Sequence, residues 1–200
     1  PNPPDGRTAA QDVSNLFGCV LRVDVDHPSD GKAYSVPADN PFVELEGARP
    51  EIWSYGLRNP WKFGIDSKTG SIFAADNGWE TWEMVHEIVR GGNCGWPIME
   101  GRAILRSEVK RGPTPIRPPL KDHPHTEANS VVGGPVYRGP KHADLDGTFI
   151  YADYITGTIW GLKRGDDGTL THRTLVDTDQ RITALAEGSD GEIFVLDYDF

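Results

Sequence analysis

Two adjacent residues in the first half of the chain, Arg58 and Asn59, stand directly before a proline and between tryptophans. Pro60 has no backbone N–H and biases the residue before it towards an extended conformation, so we expect Arg58 and Asn59 at the entrance to a strand. A guanidinium held there can donate two parallel hydrogen bonds to a carboxylate. Stacking on a neighbouring tryptophan, or pairing with Glu51, is the structural alternative.

A second motif, Ala75–Glu83, combines a sharp turn with several acids. A strand that ends in Asp76-Asn77-Gly78 must turn abruptly, which exposes backbone carbonyls beside carboxylates. Carbonyl and carboxylate oxygens are the ligands that Ca²⁺ requires. Asn-Gly is equally typical of an ordinary hairpin turn, so a turn without metal is the alternative.

A third motif, Gly91–Pro97, is followed by Glu100 and Gly101. Glycines at this density permit backbone conformations that are closed to other residues, and they allow a ligand to approach the chain closely. The alternative is a rigid loop whose Trp96 fills the core.

The remaining metal-binding residue types give weaker signals. His123 and His125 flank a proline beside two acids and could bind a metal ion, although a solvated polar loop explains them as well. Cys19 and Cys94 lack the spacing of a zinc, iron–sulfur or haem site. Two buried thiols are expected, and one long-range disulfide is the alternative.

Composition indicates an all-β fold and excludes some classes of partner. The 23 glycines and 16 prolines suit short strands joined by tight loops. The net charge of −10 would repel phosphate backbones, so no nucleic acid is expected as a partner. No apolar run approaches the length of a membrane span, about 18 residues. The chain opens on Pro1 and stops at Phe200 just after a strand-like run, and we expect both ends to be cut.

A repeated pattern predicts the architecture. Gly-x-Φ-Φ-x-x-Asp, with Φ a large apolar residue, occurs at Gly70–Asp76, Gly147–Asp153 and Gly191–Asp197. Each copy predicts a short buried strand that is entered through a turn and ended by an acid. A further strand candidate precedes each copy, at Trp61–Asp66, Val131–Arg138 and Arg181–Glu187.

The spacing of the copies favours a β-propeller. The last two copies lie 44 residues apart, which is the length of one four-stranded blade. The first two lie 77 apart, and the excess falls in the Gly- and Pro-rich segment 91–129, which we interpret as a long loop insertion. With Gly18–Asp26 as the last strand of a preceding blade, residues 1–200 give about three blades plus one strand, roughly half of a propeller. A β-sandwich is the competing architecture, but it would not require one repeated strand motif.

Taken together and in this order, the three motifs resemble the soluble quinoprotein glucose/sorbosone (aldose sugar) dehydrogenases. That family pairs a Gly-x-Arg-Asn strand start with an acid-x-Gly turn and a Gly-Gly-Asn-x-Gly-Trp-Pro loop. The similarity covers nearly the whole chain, and its flanking parts are Ser14–Arg22, Pro37–Phe42, Val132–Gly139, Gly147–Gly157 and Asp190–Asp197.

The resemblance implies a six-bladed propeller that oxidises an aldose sugar, with hydride passing from a sugar hydroxyl to pyrroloquinoline quinone (PQQ) beside a calcium ion. Arg58 and Asn59 match positions that contact the quinone oxygens. Asn77 falls on a cofactor-contacting Gln, and Arg181 falls near a cationic position that faces the cofactor carboxylates. Two further residues match the pair whose backbone carbonyls ligate calcium, namely Gly78 and Trp79. A periplasmic or secreted location is also implied, whereas the electron acceptor is not.

The sequence departs from the family pattern at three places. No residue matches the general-base His, which belongs upstream in an earlier blade, so no catalytic residue is expected here and the isolated chain should not turn over. A family Lys falls on Ile155 and a second Arg falls on Thr183. Two other functions stay open: a non-catalytic binding propeller that resembles hedgehog-interacting protein, and a calcium-dependent propeller lactonase.

Overall fold

The computed structural model describes residues 9–29 and 31–198, which contain fifteen short strands and two 3-10 helices but no α-helix. The chain divides into two compact units, Pro1–Arg58 with Ile88–Pro118, and Asn59–Glu87 with Pro119–Phe200. In chain order the strands are β1 (Val20–Leu21), β2 (Ile52–Tyr55), β3 (Pro60–Ile65), β4 (Ile72–Asp76), β5 (Trp82–Ile88), β6 (Gly92–Asn93), β7 (Met99–Glu100), β8 (Ala103–Ile104), β9 (Lys121–Pro124), β10 (Val131–Val136), β11 (Phe149–Asp153), β12 (Ile159–Arg164), β13 (Leu170–Val176), β14 (Ile182–Glu187) and β15 (Ile193–Asp197). The 3-10 helices are Ala9–Gln11 and Ala143–Leu145. No described helix is long and apolar enough to cross a membrane.

The second unit contains the repeated sheets. Its strand orders are β3-β4-β5-β9, β10-β11-β12-β13 and β14-β15, so that strands follow one another across each sheet in chain order. Two four-stranded sheets of this kind, followed by a hairpin, match the blades of a propeller. The three copies of the sequence repeat become β4, β11 and β15, which confirms a strand for each. The prediction of a buried strand is wrong for the third copy, because Phe194, Val195 and Leu196 of β15 are exposed. Among the described residues, β15 pairs only with β14, so no further strand covers it.

Glycines let the first strands of the three sheets come close together. A Cβ on Gly133 in β10 would lie 2.5 Å from the carbonyl oxygen of Lys62 in β3. A Cβ on the next residue, Gly134, would lie 2.9 Å from the Cβ of Leu185 in β14. Because any side chain at these two positions would collide with a neighbouring first strand, the Gly-Gly pair brings the three first strands together.

The core of the second unit lies on both faces of the middle sheet. Successive residues of a strand point to opposite faces. Phe149 and Tyr151 of β11 therefore enter one apolar cluster, and Ile150 and Ala152 enter another. All four side chains are buried, which identifies β11 as the interior strand that the repeat pattern predicts.

The first unit is smaller and less regular. It has a three-stranded sheet, β1-β2-β6, and a pair, β7-β8. The amide side chains of Gln11 and Asn93 bind each other in both directions at 2.9 Å inside it. Neither Cys19 nor Cys94 forms a disulfide within the described residues. Cys94 is buried as predicted, whereas Cys19 is only partly buried, so the prediction of two buried thiols is wrong for Cys19. Burial raises the pKa of the Cys19 thiol to about 12.

The strand predicted over Gly18–Asp26 is wrong in its extent and its placement. Only Val20–Leu21 is a strand, and it pairs with β2 through an irregular register rather than closing a four-stranded blade. The extended run ends at Asp24, whose carboxylate accepts the N–H groups of Asp26 and His27 and so turns the chain.

The segment 91–129 contains four short strands, β6 to β9. Lys121–Pro124 forms β9, which pairs antiparallel with β5 as the fourth strand of the first sheet. The prediction of a long insertion did not include this strand, because Lys-Asp-His-Pro lacks alternating apolar residues.

Candidate functional site

A cavity of about 390 Å³ opens in the second unit where β4 and β11 end. Its volume falls in the range of about 300–1,000 Å³ that is typical of small-molecule sites. Its lining consists of amide, hydroxyl, aromatic and aliphatic side chains at the starts of first strands or just after second strands: Asn59, Trp61, Asn77, Ser130, Val132, Tyr154, Thr183 and Tyr198.

Both backbone groups of Asn59, its N–H and its carbonyl oxygen, form hydrogen bonds. Its N–H donates to Oδ1 of the buried Asp76 at 2.7 Å, and its carbonyl oxygen accepts the N–H of Asn77 at 3.1 Å. The Asn77 side chain in turn donates through Nδ2 to Oγ of Ser130 at 3.4 Å. Since β3 begins at Pro60, the prediction that Asn59 stands at a strand entrance is confirmed.

Arg181 stands at the corresponding entrance to β14. Its N–H donates to Oδ1 of Asp197 at 3.0 Å. Its guanidinium carbon lies 5.8 Å from the ring centroid of Tyr154, and that ring lies edge-on to Tyr198 at 6.1 Å. Because both tyrosines line the cavity, the structure brings three of the predicted cofactor residues, Asn59, Asn77 and Arg181, to one end of the second unit.

Arg58 belongs to the first unit, and its guanidinium carbon lies 5.6 Å from the ring centroid of Trp96. The Arg therefore stacks on the tryptophan of the glycine-rich motif. Glu51, the other partner considered, accepts hydrogen bonds from Tyr34, Arg49 and Lys32. The bond from Arg49 is the main reason that the pKa of the Glu51 carboxyl falls to about 2.

Gly78 and Trp79, the predicted calcium ligands, follow directly after Asn77. Gly78 is buried, and Trp79 is 42% exposed. Across residues 9–29 and 31–198, no three His, Cys, Asp or Glu side chains come together as a metal site. A calcium ion here would therefore take at least part of its coordination from main-chain oxygens or water, which are ligands that this cation accepts.

His123 and His125 bind different partners. Nε2 of His123 lies 2.7 Å from the hydroxyl of Tyr151, which lies 2.9 Å from Nε2 of His172. Nε2 of His125 lies 3.0 Å from the buried Glu83 carboxylate. Burial lowers the pKa of His123 and raises that of Glu83. These contacts favour a structural role over the metal site considered from the sequence.

Sequence reasoning did not single out Ser130, Tyr154 or Tyr198 as site residues. The signal was present for two of them, because Tyr154 and Tyr198 directly follow the acid that ends a repeat copy, as Asn77 does. Ser130 stands immediately before β10.

The repeated sheets define the class of protein: this is a partial β-propeller with a ligand-sized cavity at one end of its strands. The sequence model of the Glucose / Sorbosone dehydrogenase family matches residues 4–199. The chain belongs to that family.

Several curated proteins are similar to this chain in sequence. The chain is 36% identical over 173 residues to HIPL1 protein of Arabidopsis thaliana, covering 76% of this chain and 25% of that protein. It is 28% identical over 198 residues to aldose sugar dehydrogenase YliI of Escherichia coli K12, covering 95% and 50%. Hedgehog-interacting protein of Mus musculus is 25% identical over 141 residues, covering 70% and 18%. The chain thus spans half or less of these relatives.

Solved structures share the fold. A glucose dehydrogenase superposes with a TM-score of 0.75 at 27% identity, covering 96% of this chain and 54% of that one. The PQQ-bound form of aldose sugar dehydrogenase from Streptomyces coelicolor superposes with a TM-score of 0.66 at 22% identity, covering 94% and 48%.

Proposed function

We propose that this chain supplies part of the PQQ site of a sugar dehydrogenase, with a small aldose as substrate. The observation that carries the proposal is the cavity at the repeat ends, where Asn59 and Asn77 are held by Asp76 and by each other. The family match and the PQQ-bound structural relative support it. When bound, the quinone supplies a two-electron acceptor for hydride from the sugar hydroxyl.

The donor set of the cavity fits such a cofactor. The amides of Asn59 and Asn77 and the hydroxyl of Ser130 can donate to carbonyl or carboxylate oxygens. Aromatic side chains among the lining residues offer planar surfaces to a conjugated ring. Arg181 adds a cation beside the cavity, where it would orient a carboxylate.

We further propose that the backbone carbonyls of Gly78 and Trp79 hold the calcium ion. A calcium ion at this turn would place positive charge beside the acceptor carbonyl of the cofactor. The position directly after Asn77 supports this, because it joins the proposed metal ligands to the proposed cofactor contacts. We also infer a periplasmic or secreted location from the family resemblance.

Two positions limit the affinity that this part of the site can reach. Thr183 lines the cavity, and its hydroxyl donates to the carbonyl oxygen of Leu196 at 3.2 Å. Ile155 is exposed and apolar. Since neither residue offers the cation found in the family, Arg181 carries the charge recognition that the sequence pattern assigns to this group.

Quinone titration tests the proposal. Adding PQQ to the 200-residue chain is expected to quench tryptophan fluorescence saturably, and millimolar Ca²⁺ should tighten binding. Asn59→Ala should raise Kd about tenfold because the cavity loses an amide. Asn15→Ala, which removes an amide of the first unit that binds the carbonyls of Ala9 and Asp12, should leave Kd unchanged.

The contrary outcome is equally clear. Absence of saturable quenching, with or without Ca²⁺, would reject the quinone site and favour the binding propeller that the similarity to hedgehog-interacting protein suggests. Aldose oxidation with a dye acceptor should be undetectable for the chain alone even when quinone binds. Turnover by residues 1–200 would show that a general base is present after all.

A further inference from the structure

The three sheets of the second unit end in the same arrangement of hydrogen bonds. In each one, the acid that ends the second strand accepts the N–H of a residue at the start of the first strand. The pairs are Asn59 to Asp76 at 2.7 Å, Ser130 to Asp153 at 2.6 Å, and Arg181 to Asp197 at 3.0 Å.

The residue after each acid completes the arrangement. Its N–H donates to the carbonyl oxygen of the same first-strand residue. These bonds run from Asn77 to Asn59 at 3.1 Å, from Tyr154 to Ser130 at 2.9 Å, and from Tyr198 to Arg181 at 2.9 Å. Each sheet therefore has a clamp, which we define as the acid, the residue after it, and the first-strand residue that both of them bind.

The clamp differs from an ordinary turn stabilised by an acid. Asp190, in the turn of the β14–β15 hairpin, accepts the N–H of Glu192, two residues further on. Asp197 accepts an N–H sixteen residues away, on the neighbouring strand. A carboxylate that accepts a backbone N–H makes a charge-assisted bond, so the clamp fixes the backbone from which two side chains project.

Those side chains meet at the cavity. Besides its acid, each clamp contains a first-strand residue and the residue after the acid, which makes six residues in the three clamps. Five of these six line the cavity: Asn59, Asn77, Ser130, Tyr154 and Tyr198. The sixth, Arg181, has its guanidinium over the Tyr154 ring. The three clamps thus position their side chains around a single cavity.

We infer that Asp76, Asp153 and Asp197 are positioning residues for this site, and that Ser130, Tyr154 and Tyr198 contact the ligand. The second part rests on the proposed function. Ser130 occupies the same position in the clamp of the middle sheet as Asn59 and Arg181 occupy in the clamps of the other two sheets. Tyr154 and Tyr198 take the place of Asn77.

The clamps also define the chemistry of the ligand. One first-strand residue of each sheet contributes a polar group, in turn an amide, a hydroxyl and a guanidinium, and all three can donate to oxygen acceptors. The residues after the acids add an amide and two phenol rings. A flat conjugated ring with carbonyl and carboxylate groups on its edge satisfies both sets, as PQQ does.

Asp197 offers the cleanest test of positioning, because it is only partly buried whereas Asp153 is fully buried and accepts four N–H groups. Asp197→Ala should raise the Kd for PQQ about tenfold, since the Arg181 backbone loses its acceptor. Asp197→Asn keeps a carbonyl acceptor and should recover most of the affinity. Asp190→Ala, in the same hairpin, should change Kd less than about twofold.

Amide hydrogen exchange provides a readout that needs no ligand. The Arg181 N–H should exchange faster in Asp197→Ala and at the wild-type rate in Asp190→Ala. Equal exchange rates and equal Kd values for these two variants would overturn the positioning role. Failure of the wild-type chain to bind PQQ would overturn the proposed function and the ligand contacts, while the exchange data would still decide the clamp.

The contact residues are tested separately. Ser130→Ala and Tyr154→Phe should each raise the Kd for PQQ about threefold to tenfold, with little change in Tm, because each removes a hydroxyl from a residue that lines the cavity. Unchanged Kd in both variants would overturn the assignment of Ser130 and Tyr154 as ligand contacts.

Discussion

Arg138→Leu is expected to lower the free energy of unfolding by about 3–5 kcal/mol, because it leaves a buried carboxylate without its cation. The Arg138 guanidinium binds the two oxygens of Asp66 at 2.8 and 2.6 Å and one oxygen of Asp146 at 2.8 Å. Asp66 is only 5% exposed. These bonds hold the pKa of the Asp66 carboxyl far below its usual range, with Arg138 as the largest cause.

A surface pair in the same unit gives the matched control. Arg173 binds Asp144 at 2.6 Å, but both side chains are at least half exposed. Arg173→Leu should therefore cost less than about 1 kcal/mol. Urea denaturation measures both variants, and the double variant Arg138→Leu with Asp66→Leu should recover much of the loss. A cost for Arg138→Leu no larger than for Arg173→Leu would contradict this account.

Mild acid is expected to destabilise the second unit by about 2–4 kcal/mol between pH 6.5 and pH 4.5, with up to about 2 kcal/mol from each of two histidines. Burial lowers the pKa of His86 from 6.5 to about 4, and burial is also the largest cause of the same shift in His172. The unfolded chain therefore binds these protons near pH 6.5, whereas the folded chain does not until about pH 4. Stability is complete above pH 6.5 and falls as the pH drops through this window.

Two carboxylates, one beside His86 and one in the first unit, limit the size and the pH range of the effect. Asp76 lies 3.9 Å from Nε2 of His86 and favours the proton, which keeps the loss below the full value for the shift. Glu51 has a pKa of about 2, so the stability it contributes is lost only below about pH 4.5. Burial raises the pKa of Glu83, so the folded chain takes up that proton before the unfolded chain does, and this partly offsets the loss as the pH falls. The interval from pH 6.5 to 4.5 therefore reports mainly on the histidines.

Urea denaturation at pH 7.0, 5.5 and 4.5 measures the dependence. His86→Gln should remove about half of it, because glutamine takes up no proton in either state while His172 still titrates. His27→Gln, at a side chain that is 83% exposed, should leave it unchanged. A wild-type stability that is constant from pH 7.0 to 4.5 would contradict the prediction.

Local patterns predicted the parts of the fold that local interactions decide. The pattern at Gly70–Asp76 predicted β4, because a turn, two large apolar residues and a terminal acid are sufficient to describe a short buried strand. The residues Lys121–Pro124 carry no strand pattern, and β9 forms because it pairs with β5. Gly18–Asp26 alternates as a strand should, but the Asp24 carboxylate turns the backbone before the run ends.

The candidate site divides in the same way. Pro60 was enough to place Asn59 at a strand entrance. Asp76, which accepts the N–H of Asn59, lies seventeen residues away in the sequence. Trp96, which contacts the Arg58 guanidinium, lies further away still. Each of these contacts depends on tertiary packing, which no local pattern predicts. The tyrosines of the cavity could have been found from the repeat, had the residue after each acid been compared among the copies.

The clamps separate the residues that build this end of the second unit from those that we propose to contact a ligand. Each clamp uses one carboxylate and main-chain groups, so the side chains of Asn59, Ser130 and Arg181 take no part in it. Their chemistry already differs between copies while the hydrogen bonds remain the same. If these residues contact the ligand as proposed, a mutation at any of the three positions can change ligand specificity while the strand remains folded. Such a scaffold can acquire a new specificity one sheet at a time.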